Sequence, residues 1–168
     1  MLKVIQVELS SDNFQSFIDL PWAIYGSEVI WNPPLKASLQ TELSPQNLFF
    51  THGEAALFIC EKDGKCVGRI SASIDSLLKD KTVGYFGYFE CINDKDVAET
   101  LLNKASEWLR AKGRSTMEGP VNLSIFHAHR VMVQGFELKP FMGEPRNPKF
   151  RGSPMNGLSS KPWTITRW

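Results

Sequence analysis

The spacing of apolar residues changes several times along the chain, and each change marks an element. Leu2 to Val7 is rich in β-branched residues and weakly alternating, which predicts a first strand. Ser11 and Asp12 can cap a following helix, whose apolar residues Phe14, Phe17, Ile18 and Leu20 recur at helical spacing. Pro21 is expected to end or bend it, because proline lacks an amide proton and disfavours helical backbone in the residue before it. Ile30-Trp31-Asn32-Pro33-Pro34-Leu35 is expected to be extended, since both prolines fix φ. Lys36 to Leu43 is the next expected helix.

Three strands come next. Ala55 to Glu61 and Cys66 to Ile74 flank Lys62-Asp63-Gly64-Lys65, a strong hairpin signal, and Thr82 to Ile92 is the third. Strands in this order make a meander, so the sheet is antiparallel here. Simple alternation puts Val83, Tyr85, Phe89 and Cys91 on one face of the third strand. Phe86, Tyr88 and Ile92 fall on the other. Both faces are apolar, which predicts a central strand covered on each side. Gly84 and Gly87 mark a bulge or a close backbone approach. Val97, Leu101, Ala105, Trp108 and Leu109 then form the stripe of a long helix that Gly113 terminates. Thr116 to Val121 starts another strand, interrupted at Pro120.

After that strand the regularity declines. From Met132 onward six Lys/Arg face two acids, a local charge of +4. Residues 1–150 read as one domain and 151–168 as an irregular basic tail, with a strand period only at Trp163 to Trp168. The expected fold class is α/β (α+β), a mixed, mainly antiparallel central sheet flanked by helices.

Composition narrows the function classes. The 168 residues suffice for one domain with a core. A net charge of +1 gives no field that would argue for nucleic acid or a membrane surface. Cys60, Cys66 and Cys91 are odd in number and lack metal-ligand spacing, so neither a disulfide framework nor a metal site is expected. There is no long apolar run and no signal-peptide pattern at the N-terminus, so the expected location is cytoplasmic.

Several local motifs carry a resemblance. WNPPL at Trp31 to Leu35, HGEAALFICEKDGKCVGRI from His52 to Ile70, GYFGYFE from Gly84, AETLLNKASEWLRAKG and GPVNLS at Gly119 to Ser124 resemble a bacterial branch of the GNAT acyltransferase superfamily. The resemblance implies an acyl-CoA N-acyltransferase fold, with acetyl-CoA or another acyl-CoA as co-substrate and an amine as acceptor. It implies that backbone amides of Phe89, Glu90, Cys91 and Ile92 hold the pantetheine arm and thioester. Asn93, Asp94, Lys95, Asp96, Val97 and Ala98 occupy the place of the pyrophosphate loop, where the superfamily has Q/R-x-x-G-x-G/A. Only Ala98 matches that pattern. Asp94 or Asp96 can instead cap the helix and fill the anion site with a side-chain carboxylate.

The same resemblance makes Glu90 the candidate catalytic base, directly or through water, and Asn122 a contact to the cofactor arm. The alternative for Glu90 is a partner for Arg69 on the neighbouring strand. The superfamily's tyrosine acid, in the helix after the fifth strand, has no counterpart between Ser124 and Gln134. The acceptor pocket is implied around Trp22 to Leu43. His127 and His129, two apart, would share one side of a strand. His52 reads as a turn contact, and Cys91 as a buried thiol rather than a nucleophile. Without the usual closing hairpin, the last sheet edge is expected to be covered by the tail or by a second copy in a homodimer. A binding or dimerisation module of the same fold, without catalysis, is the competing function.

Overall fold

The computed structural model describes residues 1–26, 31, 33–129, 132, 134–138, 141 and 147, and the backbone of 164–167. The element order is β1 (Leu2–Val7), α1 (Asp12–Tyr25), α2 (Lys36–Glu42), a 3-10 turn (Leu48–Thr51), β2 (Gly53–Lys62), β3 (Lys65–Asp75), β4 (Val83–Cys91), α3 (Lys95–Ala111), β5 (Thr116–Gly119) and β6 (Thr164–Arg167). One sheet runs in the order β1-β2-β3-β4-β5-β6. All its pairings are antiparallel except β4 with β5, which is parallel. This is the mixed, mainly antiparallel sheet flanked by helices that the residue pattern predicts. Among the described residues no helix is long and apolar enough to cross a membrane.

The β2–β3 hairpin turns on Asp63 and Gly64, whose φ angles of 52° and 77° are both positive. Aspartate and glycine tolerate that region best, and two such residues give the turn that matches strand twist. On one face of the sheet α3 lays down Val97, Leu101, Ala105 and Leu109, all fully buried, against Phe58, Ile70, Phe86 and Phe89. On the other face α1 and the turn before β2 bury Phe17, Ile18 and Phe49 against Leu57, Ile59 and Tyr88.

Two expectations need correction. First, β4 does not alternate along its whole length. Arg69 pairs with Glu90 and Ser71 with Gly87, so two steps on β3 face three on β4. The extra residue is a bulge, with Tyr88 at φ 46°. It flips the parity, so Phe86 shares the α3 face with Phe89 and Cys91 while Tyr88 faces α1. Gly87 is required at that point: a Cβ there would lie 2.3 Å from Val121 O. Gly84 is likewise a close approach, to Leu109 of α3.

Second, of the two outcomes expected at Pro21, the helix does not end there but continues to Tyr25. Proline removes the amide that would bond the carbonyl four residues earlier, that of Phe17. The missing donor is supplied from the sheet: Arg69 Nη1 donates to Phe17 O at 2.6 Å. Arg69 is 5% exposed, and its guanidinium lies 5.0 Å from the Phe17 ring centroid and 6.0 Å from that of Tyr88. A defect in the helix and a buried cation on the strand thus satisfy each other.

The segment from Ile30 to Leu35 is described only at Trp31 and at 33–35, so its expected extended course lies partly outside the described residues. Residues 151–163 of the expected tail lie outside them entirely. Residues 164–167 add the strand that pairs along β5.

The Pro21–Arg69 complementarity predicts a non-additive pair. Arg69→Met should destabilise the fold by about 2–3 kcal/mol, as a buried carbonyl loses its donor. Adding Pro21→Ala, which restores an amide to Phe17 O, should recover roughly 1 kcal/mol relative to additivity. Urea denaturation of the four proteins measures this, and strictly additive losses would refute the link.

Candidate functional site

The parallel ladder between β4 and β5 is short: Val83 with Thr116, Gly84 with Met117 and Tyr85 with Glu118. Beyond it the chain still follows β4 for a few residues. Val121 N donates to Phe86 O at 2.7 Å, and the Asn122 carboxamide oxygen accepts from Tyr88 N at 2.7 Å. Asn122 therefore binds the bulge of β4, and its own amide donates to Ala128 O. Past Tyr88, the end of β4 carries Phe89, Glu90 and Cys91, and Ile92 follows it.

Each expected residue of that turn can be placed. Phe89 and Cys91 point into the α3 core and are buried. The Ile92 amide donates to Val67 O at 3.0 Å, so it belongs to the β3 side of the strand rather than to a ligand beside it. Glu90 is half-buried and follows Tyr88 by one strand repeat, which puts it on the α1 side. Its carboxylate accepts a hydrogen bond from the Tyr25 hydroxyl at the end of α1. Arg69 stands opposite Glu90 in the ladder.

Tyr25 was not singled out by its sequence. The signal was present, since Phe14, Phe17, Ile18 and Tyr25 lie on one continuing helical stripe. Pro21 interrupts that stripe, and the sequence leaves open whether the helix ends or bends there. Around this contact the aromatic residues are dense. Trp31 lies 5.3 Å from Tyr25 and 5.5 Å from Trp22, between ring centroids. Lys36 sits 4.8 Å above the Trp22 ring and pairs with Asp19.

A second tyrosine–carboxylate pair lies deeper. The Tyr88 hydroxyl donates to Glu42 of α2, and burial first, then the Glu42 charge, pushes the Tyr88 phenol far above its usual value. Tyr88 is thus a fixed donor. The polar row Arg69, Ser71, Ser73 and Asp75 on β3 faces the same side and is buried throughout. Period-two polarity of this kind ordinarily marks a solvent face. Here α1 and the segment after β5 cover it, with Ser73 donating to Leu123 O.

The junction into α3 is occupied by its own side chain. Asp94 is the N-cap, and its Oδ1 accepts from the amides of Asp96 at 3.0 Å and Val97 at 3.4 Å. Its Oδ2 takes Lys62 at 2.8 Å, while Ala98 N donates to Asp94 O. Asn93, Lys95 and Asp96 are exposed, and Lys95 pairs with Glu99 one turn on. Val97 and Ala98 are fully buried in the core. The hydrogen bond from Lys62 is the main cause that holds the Asp94 carboxyl below its usual range, with the two helix amides adding to it.

The histidines take structural places. His52 Nδ1 is 2.9 Å from Asp75 Oδ1, which also accepts from Leu77 N. His127 and His129 lie in a turn and not on a strand, so the two-residue spacing does not align them. His127 Nδ1 meets Ser124 Oγ at 2.9 Å and His129 Nδ1 meets the His127 carbonyl. Among the described residues no group of three or more His, Cys, Asp or Glu is arranged to hold a metal.

The fold recurs in solved structures. A tandem GNAT protein from the clavulanic acid biosynthesis pathway superposes with a TM-score of 0.56 at 14% identity, over 73% of this chain and 40% of that one. An aminoglycoside acetyltransferase from an uncultured soil metagenomic sample gives 0.52 at 15% identity, over 72% and 78%. The chain has the GNAT acyltransferase fold. Two curated proteins share sequence with it at higher identity. The bacterial ceramide synthase of Caulobacter vibrioides is 36% identical over 90% of this chain and 40% of its own length. Protein YghO of Escherichia coli K12 is 31% identical over 82% and 36%. The chain therefore spans about two fifths of the length of these relatives. No family model matches it.

Replacing the α3 cap tests its role. Asp94→Ala should cost about 1 kcal/mol at neutral pH, the usual worth of an N-cap. Because the folded carboxyl is held low, the stabilisation is complete above the ordinary aspartate value near 4 and is lost as pH falls through the lowered one. Denaturation at pH 7 and again in strong acid should show the gap between the two proteins closing. A gap that persists unchanged in acid would contradict the assignment.

Proposed function

We propose that the chain carries out acyl transfer from a CoA-type thioester to the nitrogen of an amine. The observation that carries this reading is Glu90 on the last turn of β4, just past the bulge and the end of the parallel ladder, in a fold shared with acetyltransferases. In this reading the acceptor ammonium gives a proton to Glu90, the free amine attacks the thioester carbonyl, a C–N bond forms and the C–S bond breaks. The thiolate then takes up the second proton, which the nitrogen loses as it becomes the amide. The amides at Phe89 and Cys91 lie beside the reacting carbonyl, and Asn122 keeps the bulge in shape. Asn93 to Ala98 lie at the phosphate end of the donor.

The similarity to a bacterial ceramide synthase bears on the acceptor. A ceramide is an amide of a long-chain amino alcohol, so a long-chain amine joins the acceptor classes to be tried. Incubating the protein with acetyl-CoA or a long-chain acyl-CoA and a long-chain amino alcohol, and following both thiol release and amide mass, tests the reading. No amide from any pairing would refute it. Glu90→Gln should lower kcat by about a hundredfold or more while the protein remains folded, as loss of a general base does.

A second reading has one specific observation in its favour. Asp94 occupies with its own carboxylate the helix amides that a pyrophosphate would use. A non-catalytic module of this fold, binding a partner or a second copy, needs no phosphate site. Asp94→Ser keeps a capping oxygen and removes the charge. If the junction meets donor phosphates, this variant should bind CoA about threefold more tightly by calorimetry, the scale of a helix-terminus charge effect. Unchanged affinity, or no CoA binding by either protein, supports the second reading.

A further inference from the structure

The net charge of +1 conceals a division along the chain. Residues 1–119, through the end of β5, carry twelve Lys/Arg against sixteen Asp/Glu, a charge of −4. Residues 120–168 carry seven against two, a charge of +5. The exposed aromatic side chains fall on the same side of that junction. Among the described residues the two phenylalanines that stand largely in solvent, Phe126 at 92% and Phe141 at 81%, both follow β5, as do exposed Ile125 and Leu138. A lone exposed aliphatic residue is ordinary on any surface. A full phenylalanine ring beside an isoleucine, held clear of the protein within the basic part of the chain, calls for a partner.

Ile125 and Phe126 form the tip of a turn whose stem is fixed. Leu123 beneath them is fully buried and Ser124 nearly so. Ser73 of β3 donates to Leu123 O, and the Asn122 amide donates to Ala128 O across the base of the turn. Within it, His127 N donates to Ser124 O at 2.9 Å and Phe126 N to Ser124 Oγ at 3.4 Å, while Ser124 Oγ and His127 Nδ1 lie 2.9 Å apart. The His127 ring packs edge-on to Phe49 of the core. A tip braced in this way loses little backbone freedom when its side chains are buried elsewhere. Phe126 touches so little of its own protein that it can be surrounded on every side. Another protein takes such a ring only through a matching pocket, whereas the headgroup boundary of a bilayer takes it without one, and anionic lipids complement the positive charge after β5.

We infer that the turn from Ser124 to His127 is a lipid-seating wedge: Ile125 and Phe126 enter the interface of an anionic bilayer, drawn there by the charge of the segment that follows β5. One small wedge with local charge gives reversible, salt-sensitive attachment rather than permanent insertion. Asn122, which holds the bulge of β4, lies two residues before the turn, so the segment that shapes the candidate site also carries the lipid contact. The inference goes beyond the acyl-transfer reading and does not depend on it.

The test is sedimentation of the 168-residue chain with vesicles of phosphatidylcholine alone and of phosphatidylcholine mixed equally with phosphatidylglycerol, each at low and high salt. At low salt the mixed vesicles should be bound roughly tenfold more tightly than the neutral ones, and high salt should reduce that preference by screening. Phe126→Ser should weaken binding to the mixed vesicles about tenfold, the scale of withdrawing an aromatic ring from an apolar layer, and Phe126→Trp should retain it. Circular dichroism and the urea midpoint should not change, because the ring makes almost no contact within the fold. Ile125→Ser carries the same expectation as Phe126→Ser and replaces it if that variant fails to fold. No binding to the mixed vesicles, equal binding to both kinds, or binding that both serine variants leave unchanged would overturn the inference. A dimer seen by light scattering that Phe126→Ser converts to a monomer would also overturn it, assigning the turn to an interface between copies. The comparison of the two vesicle types needs only the unaltered protein, and no step uses a thioester, so its result stands apart from the transfer assay.

Discussion

The hydrogen bond from Arg69 to the Phe17 carbonyl ties together the face of the sheet that α1 covers. A cation buried to this extent is costly unless its donors are met. A helix carrying an internal proline is costly because a carbonyl is left over. The guanidinium replaces the amide that Pro21 lacks, the Phe17 carbonyl meets one of its five donors, and the contact ties α1 to β3. From that contact the rest of the face is determined. Phe17 and Tyr88 clasp the guanidinium, Tyr25 two turns along α1 from Phe17 meets Glu90, and Glu90 lies directly across the ladder from Arg69.

Much of this fold was legible in the residue pattern, and the illegible parts share a cause. The β2–β3 hairpin and α3 were readable because their determinants are local: Asp63-Gly64 turns the chain, and an unbroken stripe from Val97 to Leu109 makes one helical face. The extent of α1 was not readable. Whether Pro21 ends a helix depends on a donor for Phe17 O, and that donor is 52 residues away. The faces of β4 after Gly87 were misassigned for a similar reason, since the bulge exists where Val121 and Asn122 press against the strand from another segment. The candidate site inherits both problems. Glu90 was visible from the strand it sits on, while Tyr25 could be found only by carrying the helix through its proline.

The α3 junction shows one side chain meeting the helix's own need for a cap. An N-terminus of a helix offers amides and partial positive charge to whichever anion comes first. In this chain the first anion is Asp94, tethered one residue before the helix and neutralised by Lys62. The fold is kept and the helix is well capped, but an external phosphate must compete with an internal carboxylate. Likeness in fold does not by itself carry an activity.

The sheet's order has a consequence for how its regions form. β2 to β4 are neighbours in sequence as well as in space, and the β2–β3 pair closes through a two-residue turn, whereas β1 reaches β2 across α1 and α2, pairing Val7 with Leu57 and Leu2 with Lys62. The β4–β5 pairing must bring Val83 to Thr116 across all of α3, and β6 returns from residue 164 to lie along Gly119. Loop-closure entropy rises with the length of chain enclosed, and such non-local pairings govern folding speed. The entropic cost of the sheet is therefore concentrated at its two sides, in the β1–β2 pairing and in the pairings of β5, while the β2–β3–β4 meander between them is nearly a local structure.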